Sequence, residues 1–133
     1  SGGTVKFGDQ SSGYPIAGVQ PVFQDVRNYY VEQGRFFSAL DDAGKVAVTV
    51  IGHGVLKDLK LPDNPLGRDL FIKGRAYQII GVMEWKGQIL GEDLDKFVMI
   101  PFGTALSIEG QAAEALRVGD REPIHAAVPE DER

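Results

Sequence analysis

Short apolar runs separated by glycine, proline and polar clusters dominate the chain, a pattern that predicts strands and turns more than helices. The clearest run covers residues 46–51, where β-branched residues and unbroken apolar character predict a strand buried on both faces. Two further runs, 70–72 and 77–82, flank Lys73-Gly74-Arg75, an arrangement typical of a β-hairpin. Shorter strands are predicted at residues 5–7, 14–19, 29–37 and 97–101.

Short helices are predicted between the strands. Pro21 suits the first turn of a helix over residues 22–27, and Ser38 followed by Asp41 resembles a capping pair. Apolar residues within 55–59 share one helical side, and Thr104 is predicted to cap a helix that runs to residue 108. With 133 residues, the pattern predicts one α+β, strand-dominated domain with three or four short helices.

The two ends of the chain differ from its body. Ser1-Gly2-Gly3 resembles a tag or linker remnant, which places the start of the domain at residue 4. Residues 109–133 contain seven acidic and three basic side chains and so contribute −4 of the net charge of −5. The sequence therefore predicts a domain over residues 4–108, followed by an acidic C-terminal helix and tail over 109–133.

Charge and composition exclude several classes of function. The body of the chain is almost neutral and offers no basic face, which argues against nucleic-acid binding and against docking on anionic lipid. The absence of cysteine excludes disulfides and thiolate metal sites. No apolar run approaches the roughly 20 residues that span a bilayer.

Candidate chemistry is sparse. The two histidines, His53 and His125, lie far apart and lack further ligands, so His53 is interpreted as a helix-start residue and not as a metal ligand. No Gly-x-Ser-x-Gly or Gly-x-Gly-x-x-Gly motif is present. Four carboxylates lie after the hairpin: Glu84, Glu92, Asp93 and Asp95. Paired carboxylates could serve an acid/base hydrolase, but a solvated loop is favoured because no aromatic platform accompanies them. We therefore expect no enzyme activity and no cofactor.

Four stretches carry a resemblance to a known family. They are Gly18-Val-Gln-Pro21, Gln33-Gly-Arg-Phe-Phe37, Asn64-Pro-Leu-Gly-Arg68 and Gly74-Arg-Ala-Tyr-Gln-Ile-Ile-Gly-Val82. Residues 46–52 and 98–105 lie between and after them in the family's order and spacing. Over residues 4–108 the chain resembles the periplasmic core domain of MacB-like ABC transporter permeases, a group that includes FtsX-like lipoprotein-release and cell-division relatives.

The matching stretches also have a structural interpretation. Gly34 is predicted to let the chain turn, Leu66 to pack against the core while Gly67 takes a positive φ, and Gly81 to mark a bulge or a close backbone approach. The residues that we expect to define the fold are Gly18, Gly34, Arg35, Pro65, Leu66, Gly67, Gly74, Gly81 and Pro101.

The resemblance implies a role at the periplasmic or extracellular face of the cytoplasmic membrane. Such domains lie between two transmembrane helices of a permease, and ATP is hydrolysed on a separate cytoplasmic domain. The implied partners are the rest of the permease and its ATPase, together with a periplasmic adaptor protein or a lipoprotein substrate. The resemblance also implies a dimeric, membrane-embedded parent, of which this chain is a fragment.

The loop of residues 85–96 is the candidate surface for partner contact. Trp85, Asp93 and Asp95 are the predicted contact residues, with Trp85 the best single candidate because aromatic side chains are enriched at interfaces. Trp85 could instead cover a sheet edge, whereas at least one residue of the Phe36-Phe37 pair is predicted to lie in the core. A stand-alone binding module for a peptide or small ligand, received at an exposed strand edge, remains the alternative function.

Overall fold

The structure is a computed structural model that describes residues 2–108. Within these residues the chain forms nine strands and four short helices. The strands are β1 (Gly2–Phe7), β2 (Gln10–Val19), β3 (Val31–Gly34), β4 (Val48–Ile51), β5 (Asp69–Ile72), β6 (Arg75–Met83), β7 (Gln88–Ile89), β8 (Glu92–Asp93) and β9 (Val98–Pro101). The helices are α1 (Phe23–Arg27), α2 (Ala39–Ala43), α3 (Val55–Asp58) and α4 (residues 102–108). The predicted α+β, strand-dominated class is confirmed, and none of these helices has the length and apolar character to cross a bilayer.

Seven strands form one sheet in the order β3-β6-β4-β9-β2-β1-β5, and β5 pairs in turn with β6. The sheet therefore closes on itself through six strands. The long strand β6 permits this closure, because β5 pairs with its residues 75–78 and β3 with its residues 81–83. β7 and β8 pair only with each other and form a separate hairpin.

The closed sheet surrounds an apolar core. Alternate residues of its strands point inward, as the period of two in β5, β6 and β9 requires, and α3 adds Val55 and Leu59. A second cluster, on the other face of β4, contains both Phe36 and Phe37. All four residues of β4 are buried, which confirms the prediction that this strand is covered on both faces.

A bulge in β6 brings β3 unusually close. The β4–β6 register shifts across Ile80, whose carbonyl oxygen is left free to accept a hydrogen bond from the Arg35 amide at 3.0 Å. Gly34 has φ +75° there, and a Cβ atom on it would collide with the Ile80 carbonyl. A Cβ atom on Gly81 would likewise collide with the Arg35 carbonyl. Both glycine predictions are confirmed.

The other predicted turns also form. Gly67 has φ +86°, and its amide donates to the Ile79 carbonyl at 2.8 Å, while Leu66 packs against the main core. Lys73 and Gly74 both have positive φ, which gives the β5–β6 hairpin a type I′ turn. Pro65 begins the turn into β5, in which the Arg68 amide donates to its carbonyl at 3.1 Å.

The ends of β2 and β9 pack against α4. Gly18 faces Ala105, whose Cβ lies 2.6 Å from where a Gly18 Cβ would stand, and Pro101 closes β9 beside Val19. Thr104 was predicted to cap this helix, but the helix begins at Phe102 and the Thr104 hydroxyl donates to the Val46 carbonyl at 2.8 Å. The cap comes instead from Asp42, a residue distant in sequence, whose Oδ1 accepts the Gly103 amide at 2.6 Å.

The predicted boundaries need one correction. Gly2 and Gly3, assigned from sequence to a remnant, belong to β1 and pair with Pro15 and Tyr14. The composition of Ser1-Gly2-Gly3 hides this, because a strand of small residues is held by backbone hydrogen bonds alone. The acidic segment 109–133, which includes His125, lies outside the described residues.

A network centred on Asp41 fixes α2. The Ser38 hydroxyl accepts the Asp41 amide at 3.1 Å and the Asp41 carboxylate accepts the Ser38 amide at 2.8 Å, so the predicted capping pair is confirmed. Arg35 Nη1 donates to Asp41 Oδ2 at 2.7 Å. The hydrogen bond from Arg35 lowers the pKa of Asp41, and the bonds with Ser38 act in the same direction, against the effect of burial.

We expect Asp41→Asn to lower the unfolding free energy by about 2 kcal/mol at pH 7, since hydrogen bonds to a charged group are lost. Because the folded-state pKa is depressed, the stabilisation is fully present above the unfolded pKa of about 3.9 and is lost as pH falls through the folded value. The gap between wild type and variant should therefore narrow below about pH 4, as measured by urea unfolding. Asp9→Asn, in the exposed β1–β2 turn, is the control. A gap that stays constant down to pH 2 would contradict this assignment.

Candidate contact hairpin

The predicted loop of residues 85–96 forms a small antiparallel hairpin. Gln88 pairs with Asp93 and Ile89 with Glu92. The turn residues Leu90 and Gly91 have φ +53° and +81°, so this is a second type I′ turn. The hairpin directly follows β6 and returns the chain to β9.

Asp95 closes the base of the hairpin. Its side chain accepts the Lys86 amide at 2.8 Å and the Gly87 amide at 2.7 Å, and Leu94 donates to the Gly87 carbonyl at 3.0 Å. The residue is only 2% exposed. The prediction that Asp95 contacts a partner is therefore wrong, because both carboxylate oxygens are used within the chain and are hidden from any partner.

Trp85 lies at the start of the hairpin and remains 66% exposed. Its ring rests against Gly87, where an added Cβ would lie 3.1 Å from the ring. The ring therefore covers the backbone of the hairpin and leaves most of its own surface in solvent. That it contacts a partner stays a prediction, which this exposure favours.

Two further apolar side chains extend from the hairpin and were missed from sequence. Ile89 is 60% exposed, and Leu90, at the tip, is fully exposed. We call Trp85, Ile89 and Leu90 the apolar knob. The Leu90-Gly91 pair fits a two-residue turn and could have suggested that Leu90 lies at the tip. The pair lacks the asparagine or aspartate that usually marks a type I′ turn before glycine.

Acidic side chains flank the knob. Glu84, Glu92 and Asp93, which we call the acidic flank, are all exposed. The Glu84 carboxylate accepts the Tyr30 amide at 3.2 Å and the Asp93 carboxylate accepts the Asp95 amide at 2.8 Å. Asp93, unlike Asp95, therefore keeps an exposed carboxylate that a partner could reach.

The two lysines of the hairpin point toward the body. Lys86 Nζ lies 4.4 Å from the centroid of the Tyr29 ring. Lys96 Nζ lies 3.4 Å from Asp58 Oδ1 and 3.9 Å from Asp93 Oδ2. Their positive charges are partly used within the chain, so the hairpin presents a net acidic surface beside its apolar tip.

Tyr29 lies beneath the hairpin with a buried hydroxyl that has no hydrogen-bond partner among the described residues. Burial raises the pKa of this phenol well above its usual value, and the nearby Asp95 and Glu84 add to the effect. Tyr29 therefore stays neutral at physiological pH. Its ring packs edge to face on Phe97 at 6.2 Å and supports Lys86, which indicates a structural role.

The remaining chemical candidates do not converge. Within residues 2–108, no group of three His, Asp or Glu side chains is arranged to hold a metal ion. His53 lies just before α3, as predicted, with Nε2 3.7 Å from Glu32 Oε2 at the surface. Of the four carboxylates considered for acid/base chemistry, Asp95 is fixed by backbone amides.

An open groove of about 400 Å³ lies on another part of the domain. It is lined mainly by apolar residues of α1, by Phe102, and by the end of β2, with Arg27 as its charged side chain.

Fold and hairpin together define the class of protein: a closed, strand-rich α+β domain that presents an apolar knob on a rigid base. The model of the MacB-like periplasmic core domain matches residues 1–128, and the chain belongs to this family. The resemblance noted from the sequence is confirmed, as is the extracytoplasmic location that it implies. The match continues past residue 108, where the sequence placed the end of the domain.

Curated relatives are export permeases. The chain is 31% identical over 127 residues to the pyoverdine export ATP-binding/permease protein PvdT of Pseudomonas putida, covering 93% of this chain and 18% of that protein. It is 35% identical over 112 residues to the macrolide export ATP-binding/permease protein MacB of Marinobacter nauticus, covering 83% and 17%. The chain thus spans less than a fifth of the length of these relatives.

Solved structures share the fold. The extracellular domain of the noncanonic ABC-type transporter YknZ from Gram-positive bacteria matches with a TM-score of 0.70 and 19% identity, over 83% of this chain and 55% of that one. The periplasmic region of MacB from Actinobacillus actinomycetemcomitans matches with a TM-score of 0.68 and 24% identity, over 80% and 47%.

Proposed function

We propose that this chain is the part of an export permease that contacts an extracytoplasmic partner protein and passes on movement driven by ATP hydrolysis elsewhere in the parent, without catalysing a reaction itself. The single observation that carries the proposal is the apolar knob, held on a rigid base at the exposed end of a closed sheet. An adaptor protein is favoured over a lipoprotein substrate, because the curated relatives are named as exporters.

The construction of the domain suits mechanical coupling. Protein interiors are close-packed and deform little, so a closed sheet around one core moves as a unit. Asp95 joins the knob to this unit through two backbone amides and also accepts the Gly54 amide through its carbonyl oxygen at 3.0 Å. A displacement of the sheet would therefore displace the knob.

The proposal is tested in the full parent transporter by placing the photo-crosslinking residue p-benzoylphenylalanine at Leu90. We expect irradiation to yield an adduct with a separate extracytoplasmic protein, identified by mass spectrometry. We also expect the adduct yield to differ between the nucleotide-free transporter and one held with a non-hydrolysable ATP analogue.

Lys73 provides a matched control for this experiment. It occupies the same first position of a type I′ turn as Leu90, with φ +52° against +53°, and is also exposed. It lies at the opposite end of β6 from the knob. Equal adducts from positions 73 and 90, or none from position 90, would contradict the proposed contact.

The alternative, a binding module for a peptide or small ligand, is supported by the groove beside α1. Its apolar lining includes Phe23 and Phe102, whereas its broad opening, which would leave a bound ligand largely in solvent, counts against this alternative. Transmembrane helices encoded on both sides of this domain in the parent gene would favour the permease module over the binding module. A dimeric parent protein would also favour it.

A further inference from the structure

The exposure and backbone conformation of Leu90 are unfavourable for a residue with a purely structural role. Its side chain is fully exposed, and its φ of +53° lies in the left-handed region, where a Cβ atom comes too close to the following carbonyl oxygen. Asparagine, aspartate or glycine would satisfy this turn position at lower cost. Lys73 has the same position in the β5–β6 turn, but its charged side chain is well solvated when it is exposed. A fully exposed apolar side chain at such a position is best accounted for if a partner buries its surface.

The knob is also ordered before any partner arrives. Asp95 fixes the base, Trp85 rests on Gly87, and Lys86 lies over Tyr29. A pre-ordered contact surface loses little conformational entropy on binding. Large aromatic and aliphatic side chains on such a surface are the usual centres of binding energy, provided they enter a pocket that excludes water.

The electrostatic surroundings restrict what the pocket can be. Glu92 is exposed and makes no ion pair among the described residues. Asp93 keeps an exposed carboxylate beside its 3.9 Å ion pair with Lys96, and Lys86 turns toward the body. An anionic bilayer would repel this surface. A protein surface with lysine or arginine at its rim would attract it and would steer the encounter.

We infer that the knob inserts into an apolar pocket of a partner protein whose rim carries lysine or arginine side chains facing Glu92 and Asp93. This inference rests on the proposed function, since it names the chemistry of the partner at that same contact. A lipid surface and a second copy of this chain are the competing occupants, and the experiment separates them.

The test uses the parent transporter carrying p-benzoylphenylalanine at Leu90, with Glu92→Lys or Glu92→Gln added. We expect Glu92→Lys to reduce the yield of the partner adduct about tenfold, because a like charge at the rim adds repulsion, and Glu92→Gln about threefold, because it loses only the attraction of an exposed pair. Raising NaCl from about 50 to 300 mM should lower the yield for the parent sequence and should lower it less for Glu92→Gln, in which only Asp93 still faces the rim. Asp69→Lys, at an exposed carboxylate on β5, is the matched control and should have no effect.

Hydrogen exchange at the Lys86 and Gly87 amides checks that each variant keeps its hairpin. A protein adduct whose yield ignores both Glu92 and salt would overturn the basic-rim inference and leave the proposed function intact. Absence of any protein adduct would overturn both. An adduct with a second copy of the chain would overturn the inference, as would co-flotation of the chain with phosphatidylethanolamine/phosphatidylglycerol vesicles that is lost in Leu90→Ser.

Discussion

Replacing Gly34 by alanine is expected to lower the unfolding free energy by about 4 kcal/mol, the sum of a left-handed backbone penalty and an overpacking cost. The residue has φ +75°, and a Cβ atom would collide with the Ile80 carbonyl oxygen. That oxygen accepts the Arg35 amide, so the collision also opposes the bond that joins β3 to the bulge of β6. Since domains of this size are stable by only about 5–15 kcal/mol, the loss should be obvious in urea unfolding.

Two other glycines separate the causes of this loss. An alanine Cβ at Gly74 would have no atom within 4 Å, although φ there is +84°. Gly74→Ala should therefore lower the unfolding free energy only by the backbone penalty of about 1 kcal/mol. An alanine Cβ at Gly13 would also meet nothing within 4 Å, and the residue lies in β2 without a positive φ, so Gly13→Ala should not destabilise the domain and should stabilise it by up to about 1 kcal/mol. Equal losses at Gly34 and Gly74 would show that the close approach of β3 contributes nothing.

Asp95→Ala is expected to have the second largest effect, roughly 3 kcal/mol, because one buried and one partly buried amide donor lose a charged acceptor. The donors are the amides of Lys86 and Gly87, at the base of the hairpin. Hydrogen exchange should show protection lost first at these two amides and at Leu94, which is bonded to Gly87. The knob would lose its fixed position along with its base.

Asp93→Ala is the control, since the two aspartates were both predicted from sequence to contact a partner. Asp93 makes one backbone hydrogen bond and a 3.9 Å ion pair from an exposed position. Its replacement should therefore cost less than about 1 kcal/mol. If both variants lost the same stability, Asp95 would not be the residue that closes the hairpin.

Much of the fold follows from local patterns. The β-branched run that forms β4, the Ser38–Asp41 capping pair and the turn glycines each act through neighbours a few residues away, so their sequence signals are direct. The role of Gly81 could also be predicted, because a glycine inside an apolar strand usually marks a bulge or a close backbone approach.

The features that sequence reasoning missed depend on residues distant along the chain. Closure of the sheet needs the β5–β6 and β1–β5 pairs together, and no local pattern encodes both. Asp42 caps α4 across 61 positions, which made Thr104 the more plausible cap from sequence. Asp93 and Asp95 look alike in the sequence, and only the folded backbone shows which carboxylate faces inward.

The candidate site illustrates the same limit. Trp85 could be found from its residue type, whereas Leu90 could be found only once the turn had placed it at the tip. Residue type indicates that a side chain is able to bind, and the fold decides whether it is presented.

We propose that this domain works by contact, through the preformed apolar hairpin that it presents on the extracytoplasmic side of its parent protein. The most direct measurement is irradiation of the intact parent transporter labelled at position 90, followed by identification of whatever becomes attached. We expect a distinct extracytoplasmic protein to be attached at position 90 and not at position 73. Attachment to nothing but lipid or solvent, in a transporter that still exports, would contradict it.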